Sequence, residues 1–134
     1  MNKREQYRLQ NEQFLEEIRK EEGVKELGNG VLYKVLASGD GHNRTRVRNE
    51  SIVTVRYKGS LINGKVFDSS YSGEPLVFPL NRVIPGWTEG LQYMKEGAKF
   101  RFVIPYMLAY GPSGYGPIPP YSTLIFEVEL LEVL

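Results

Sequence analysis

Cysteine is absent from this chain, and histidine and tryptophan occur once each. Without thiols there are no disulfide staples, no thiolate nucleophile and no cysteine-based metal site. The same absence leaves cytosol and periplasm equally open. His42 sits in a Gly-flanked turn and cannot assemble a zinc site alone, so it reads as a surface residue and no metal is expected. No nucleophile-elbow signature accompanies it to complete a Ser-His-Asp set. Excess charge of one sign is also lacking. The formal net charge is +1, which gives no global reason for nucleic acid or an anionic membrane as partner. No stretch approaches the roughly 20 apolar residues of a membrane span. The N-terminus, Met1-Asn-Lys-Arg-Glu-Gln-Tyr-Arg8, lacks the apolar segment of a signal peptide. The expectation is a soluble, cytoplasmic chain as written, or a periplasmic one where a leader precedes the sequence given.

What is present fits one domain with a short appendage: 134 residues are enough to bury a substantial core. Residues 3–22 are charged, free of Gly and Pro, and read as a helix, with Tyr7, Phe14 and Ile18 along one face and Leu15 beside them. That stripe is narrow. It either docks on the domain or forms a dimer seam, and docking or a loosely held arm is favoured over the seam. Gly23 marks a helix end, and Gly28-Asn29-Gly30 a turn.

From Val31 the pattern changes to strand. Val31-Leu-Tyr-Lys-Val-Leu36 ends at the turn Gly39-Asp-Gly41. Val53, Val55 and Tyr57 share one strand face while Thr54, Arg56 and Lys58 share the other. Asn63-Gly64 is a hairpin turn. Ala98, Phe100, Phe102 and Ile104 alternate with Lys99 and Arg101, and Leu124, Phe126, Val128 and Leu130 with Glu127 and Glu129, as in half-buried antiparallel strands. One internal segment, Trp87 to Met94, has helical spacing. The fold class is therefore α+β: an antiparallel sheet wrapped over a short helix, preceded by an N-terminal helix. Residues 1–30 are an extension with its linker, and 31–134 the main domain.

Most candidate sites have an ordinary explanation. Arg44, Arg46 and Arg48 lack interleaved stacking aromatics, so a charge-guarded edge strand explains them better than nucleic acid does. Gly111-Pro-Ser-Gly-Tyr-Gly116 resembles a phosphate cradle, but Pro-Ile-Pro-Pro follows instead of a helix and no Lys-Ser/Thr closes it. It reads as a shaped loop. Asp68, in Lys65-Val-Phe-Asp-Ser-Ser70, is on its own a turn aspartate accepting local N–H bonds with Ser69 and Ser70 nearby. No second acid is placed for a hydrolase. Any one of Tyr57, Phe67, Phe78, Trp87, Tyr110 and Phe126 is by itself best read as core. Their grouping near Gly and Pro turns suggests an aromatic cavity.

Together the segments Val53-Thr-Val-Arg-Tyr-Lys-Gly59, Asn63-Gly-Lys-Val-Phe-Asp-Ser-Ser70, Val83-Ile-Pro-Gly-Trp-Thr-Glu-Gly-Leu91, Met94-Lys-Glu-Gly97, Leu108-Ala-Tyr-Gly111 and Ile118-Pro-Pro-Tyr-Ser-Thr-Leu-Ile-Phe126 resemble the FKBP family of peptidyl-prolyl cis-trans isomerases. They occur in family order across residues 49–134. Phe14-Leu15, Glu22-Gly-Val24 and Leu32-Tyr-Lys-Val-Leu36 resemble the extension and linker of bacterial members. The resemblance implies a bent antiparallel sheet around a short helix. Trp87 would form a pocket floor among Tyr57, Phe67, Phe78, Val83, Ile84 and Phe126, with Asp68 and Tyr110 as polar members.

By the same resemblance Leu76 belongs to the substrate-binding set, and Tyr115 and Ile118 to an overhanging loop. The implied partners are proline-containing polypeptides and macrolide inhibitors of the FKBP-binding type, with no cofactor. A monomer, or a weak dimer through the N-terminal helix, is expected. A binding module holding unfolded or proline-rich chains without turnover is the alternative. Leu76 stands where Phe is common in the family, Met107 where a polar residue is usual, and the loop at residues 114–120 is shorter by about one residue, as read against the family pattern.

Overall fold

A computed structural model describes residues 1–39 and 46–134. Asp40, Gly41, His42 and Arg44, and with them part of the expected turn and arginine stripe, lie outside the described residues. Arg46 and Arg48 are exposed on either side of buried Val47 and belong to no strand.

The first element, α1 (Lys3–Arg19), starts where the sequence provides a cap. The Asn2 side chain accepts the Glu5 N–H at 2.8 Å, satisfying one of the donors that a helix start leaves free. The helix closes three residues before the expected end. The N–H groups of Lys20 and Glu21 fold back to Glu17 and Ile18, and Gly23 takes φ +85°. No helix among the described residues is long and apolar enough to cross a membrane.

Seven strands follow: β1 (Lys25–Glu26), β2 (Leu32–Ala37), β3 (Ile52–Ser60), β4 (Val66–Ser69), β5 (Leu76–Pro79), β6 (Lys99–Ile104) and β7 (Leu124–Val133). They form one antiparallel sheet in the order β1-β2-β6-β7-β3-β4. One edge of β3 pairs with β7 along its length. The other edge is shared, with β5 opposite Ile52–Val55 and β4 opposite Lys58–Ser60. In the gap between them, the Ser70 hydroxyl accepts the Tyr57 N–H at 2.8 Å, and the Ser70 N–H donates to the Tyr57 carbonyl at 2.9 Å. A side chain thus completes a broken ladder. Ser70 serves Tyr57 rather than the turn at Asp68.

The alternation read from β3, β6 and β7 holds: Val53, Val55, Tyr57, Phe100, Phe102, Ile104, Leu124, Phe126, Val128 and Leu130 point into one core. The short helix α2 (Pro85–Gly90) packs there and continues as a tighter turn over Leu91–Tyr93. It begins two residues before Trp87, because Pro85 at the first helical position needs no N–H partner. Its glycines set the depth of packing. A Cβ on Gly86 would lie 2.6 Å from Ile104 Cγ2, and one on Gly90 2.6 Å from Phe102 Cε1.

Val103 and its neighbour Leu32 are also buried, on the opposite face of the sheet. That is the face on which Lys34 and Arg101 pair with Glu21, just beyond α1, at 3.3 and 2.9 Å. The α1 face includes Tyr7, Phe14, Leu15 and Ile18, all half-buried, but its only fully buried residue is Asn11. The Asn11 carboxamide oxygen accepts the Thr123 N–H at 2.7 Å. Hydrogen bonding at its centre explains why the apolar stripe looked narrow.

Candidate functional site

A cavity of about 440 Å³ opens between the sheet and α2, lined by Tyr57, Phe67, Asp68, Phe78, Arg82, Val83, Ile84, Trp87, Tyr110 and Phe126. Seven separate segments supply these side chains, with Arg82, Val83 and Ile84 coming from the connection between β5 and α2. Tyr57 comes from the broken-edge position of β3, Phe67 and Asp68 from β4, Phe78 from β5, Trp87 from α2, Phe126 from β7, and Tyr110 from the loop after β6.

Trp87 is buried, and the rings of Tyr57, Phe126 and Phe78 stand upright to its plane. Their centroids lie 5.1, 5.3 and 5.9 Å from the indole, with interplanar angles of 86°, 88° and 85°. Phe67 adds a further edge contact to Phe126 at 5.6 Å and 88°. Edge-to-face packing aims the positive ring edges at negative ring faces, so each ring holds the next in place. A rigid apolar box results. Room for it depends on Gly59 in β3, where a Cβ would sit 2.6 Å from Phe67 and 2.7 Å from Phe126.

The polar members are few and already oriented. The Tyr57 hydroxyl donates to the Asp68 carboxylate. Burial, then that hydrogen bond and the negative charge of Asp68, push the Tyr57 phenol far above its ordinary value. Tyr110 is also shifted upward, first by burial and then by Tyr115 and Asp68. Both phenols therefore remain protonated donors across the neutral range. Asp68 has its Tyr57 partner, whereas the Tyr110 hydroxyl makes no hydrogen bond to a described residue. At the helix start the Ile84 carbonyl accepts the N–H groups of Trp87 and Thr88 at 3.0 and 3.2 Å. The Ile84 N–H, outside the helical ladder, has no acceptor among the described residues. Two donors are thus unengaged around an apolar box, and the indole Nε1 of Trp87 is buried without a described partner.

Nine of the residues singled out in the sequence line the cavity together, and three do not. Leu76 is exposed at the start of β5, opposite Val55. Tyr115 lies outside, its ring stacked on Tyr110 at 5.1 Å and 16°. Ile118 is buried in the core and exchanges backbone hydrogen bonds with Tyr115 at 2.8 and 2.9 Å. These last two belong to the loop that carries Tyr110 rather than to the cavity surface. Arg82 was missed: it brings a positive charge to the lining and makes no ion pair with a described residue. Its place beside Val83-Ile84 was the available signal. Gly59 was missed as well, although a glycine inside a strand is a recognised sign of close approach.

Comparison with known proteins gives a consistent picture. The family model described as FKBP-type peptidyl-prolyl cis-trans isomerase matches residues 43–131. The chain is 51% identical over 122 residues to the FKBP-type peptidyl-prolyl cis-trans isomerase FkpA of Escherichia coli K12, covering 90% of this chain and 44% of that protein. It is 50% identical over 123 residues to the FKBP-type 22 kDa peptidyl-prolyl cis-trans isomerase of the same organism, covering 90% of this chain and 58% of the relative. The chain thus spans about half the length of these curated relatives. A crystal structure of a peptidyl-prolyl cis-trans isomerase from Pseudomonas syringae pv. tomato superposes with a TM-score of 0.88 at 40% identity, covering 99% of this chain and 97% of the other. The crystal structure of Escherichia coli FkpA gives the same score at 48% identity, covering 96% and 60%.

Proposed function

This chain belongs to the FKBP-type peptidyl-prolyl cis-trans isomerases, and on that premise we propose that it accelerates rotation about Xaa-Pro bonds in polypeptides, using the cavity floored by Trp87. The observation that carries this is the rigid aromatic box with unengaged donors around it. A planar amide owes its rotational barrier of ~18–20 kcal/mol to resonance, and the charge-separated resonance form is stabilised by water. Moving the prolyl amide among Tyr57, Phe78, Trp87 and Phe126 withdraws that solvation and favours the twisted amide. Catalysis of this kind is stronger binding of the transition state than of either planar isomer.

In this mechanism Trp87 and the upright rings grip the pyrrolidine. The Ile84 N–H and the Tyr110 hydroxyl hold flanking substrate carbonyls and so fix one side of the rotating bond. Asp68, steadied by Tyr57, and the aromatic ring edges face the carbonyl that turns. No covalent bond forms or breaks. The cavity volume of about 440 Å³ also lies within the roughly 300–1,000 Å³ range of small-molecule sites, so we propose that a macrolide inhibitor of the FKBP-binding type competes there. The α1 face carrying Tyr7 and Asn11 is used by the chain's own domain, which favours a monomer. Sedimentation of the full chain and of residues 23–134 tests that.

Exchange of a Leu-Pro peptide between cis and trans forms, followed by NMR with catalytic protein, is the direct test. Acceleration that falls in Tyr110→Phe and Asp68→Ala supports an isomerase. A folded wild-type sample without acceleration overturns it in favour of a non-catalytic module that binds proline-rich or unfolded chains.

A further inference from the structure

The loop that supplies Tyr110 to the cavity is pinned at its tip by the Tyr115–Ile118 backbone pair and closed again at its base. The Tyr121 N–H donates to the Gly111 carbonyl at 3.1 Å, and within the loop the Gly114 N–H donates to Tyr110 at 3.2 Å. At that base Tyr121 takes φ +65°, the only positive φ on a non-glycine residue among those described. Such a backbone is costly for any residue with a Cβ and persists only where the surroundings hold it.

The surroundings here come from α1. The guanidinium groups of Arg4 and Arg8 lie 5.3 and 5.0 Å from the Tyr121 ring centre, and that ring meets Tyr106 edge-on at 5.0 Å. Arg4 also donates to the Pro112 carbonyl at 2.8 Å. The Ser122 hydroxyl donates to Pro119 at 2.7 Å, which leaves the Tyr7 hydroxyl, 3.1 Å away, to donate to Ser122. Asn11, fully buried, takes the Thr123 N–H.

We propose that the first three turns of α1 are a clamp on the loop between Tyr110 and Thr123, and that Arg4, Tyr7, Arg8 and Asn11 are positioning residues for the Tyr110 wall of the cavity. These side chains reach the loop and its base from outside the cavity. They act on substrate binding through Tyr110 and the Tyr115 ring stacked on it. The other end of the helical segment has a separate task, because Arg19 pairs with Glu26 and Glu21 with Lys34 and Arg101. The two ends can therefore be cut independently.

The activity consequence rests on the isomerase function proposed above, so the test carries a readout that does not. Arg4→Ala/Arg8→Ala, a change of two exposed side chains, is compared with Glu21→Gln at the far end. Tyr7→Phe, which loses only a hydroxyl, and Arg8→Lys, which keeps a cation above the ring, complete the set. In the free protein, amide hydrogen exchange at Tyr121 and Thr123 is expected to quicken in the arginine double variant, less in Tyr7→Phe, and not in Glu21→Gln.

With a Leu-Pro peptide, KM is expected to rise on the order of five- to thirtyfold in the double variant, the size that two exposed cation–π contacts supply. The change in kcat should be smaller, and Arg8→Lys should restore most of the loss. Failure of the wild type to isomerise leaves the exchange comparison intact, so the two failures are distinguishable. Unchanged exchange at Tyr121 and Thr123 overturns the clamp. Faster exchange with unchanged KM, or equal KM increases in the double variant and Glu21→Gln, overturns the link from α1 to the cavity wall.

Discussion

Replacing Gly59 by alanine tests whether one missing methyl group shapes the aromatic box. The new Cβ would sit 2.6 Å from Phe67 Cζ and 2.7 Å from Phe126 Cε1. Comfortable carbon–carbon contact begins near 3.5 Å, so about 0.9 Å of movement is required. Phe126 is 5% exposed and is held against Trp87 and Tyr57, leaving it little room. Phe67 is half-buried and lines the cavity, so it yields more easily and tilts inward.

Overpacking of this kind costs about 1–3 kcal/mol, or roughly 3–10 °C in Tm for a domain of this size. The cavity loses more. A displacement near 1 Å in a positioned site costs between about tenfold and a hundredfold in rate. Thermal unfolding and kcat/KM for a Leu-Pro peptide would be measured beside Gly73→Ala, where nothing lies within 4 Å and φ is ordinary. That control should stay within about 0.5 kcal/mol of wild type. A Gly59→Ala protein with wild-type Tm and kcat/KM would refute the packing argument.

Three further outcomes follow from the same geometry. Tyr57→Phe removes the hydroxyl that donates to Asp68; with that carboxylate exposed, the expected loss is about 1 kcal/mol, read as a lower urea midpoint at unchanged m-value. Because burial raises both the Tyr57 and Tyr110 phenols above their ordinary value near 10, the unfolded chain releases these protons first as pH rises. Their contribution is therefore full below about pH 10 and declines above it. Urea midpoints between pH 9 and 11 should fall less steeply in Tyr57→Phe/Tyr110→Phe than in wild type, and equal slopes would count against the shifts. Asn11→Leu leaves the buried Thr123 N–H without its acceptor and should cost about 1–3 kcal/mol in urea unfolding; a neutral outcome would mean that the N–H finds water instead.

Much of the architecture was legible because it is written in local periodicity. Val53, Val55 and Tyr57 alternate with polar neighbours, as do Phe100 with Phe102 and Phe126 with Val128, and the structure turns each set into the core. The charged run free of Gly and Pro gave one helix, and the spacing from Trp87 to Met94 the other, although that helix begins at Pro85. The aromatic members of the cavity were nameable from the grouped motifs, and their polar companions Asp68 and Tyr110 came with them. Less legible were residues whose role depends on a neighbour distant in the chain. Asn11 carried no signal in the sequence, because its partner Thr123 lies 112 residues later. Ser70 looked like a turn residue until β4 and β5 left a gap beside Tyr57. Arg82 carried no pattern of its own, and Tyr115 and Ile118, expected in an overhanging loop, build the loop behind Tyr110 without lining the cavity.

By itself the sequence determined the main helices and strands, the face that β3, β6 and β7 bury and the aromatic character of the cavity. These follow from side-chain spacing and composition, which every residue shares with its near neighbours. Only the tertiary structure decided that β3 would have a divided edge, that Gly59 would leave space for two rings, and that α1 would reach the base of the Tyr110 loop. Those outcomes depend on which segments meet after the chain has closed on itself. A period of two or of 3.6 residues assigns a face and leaves the partner on that face undetermined.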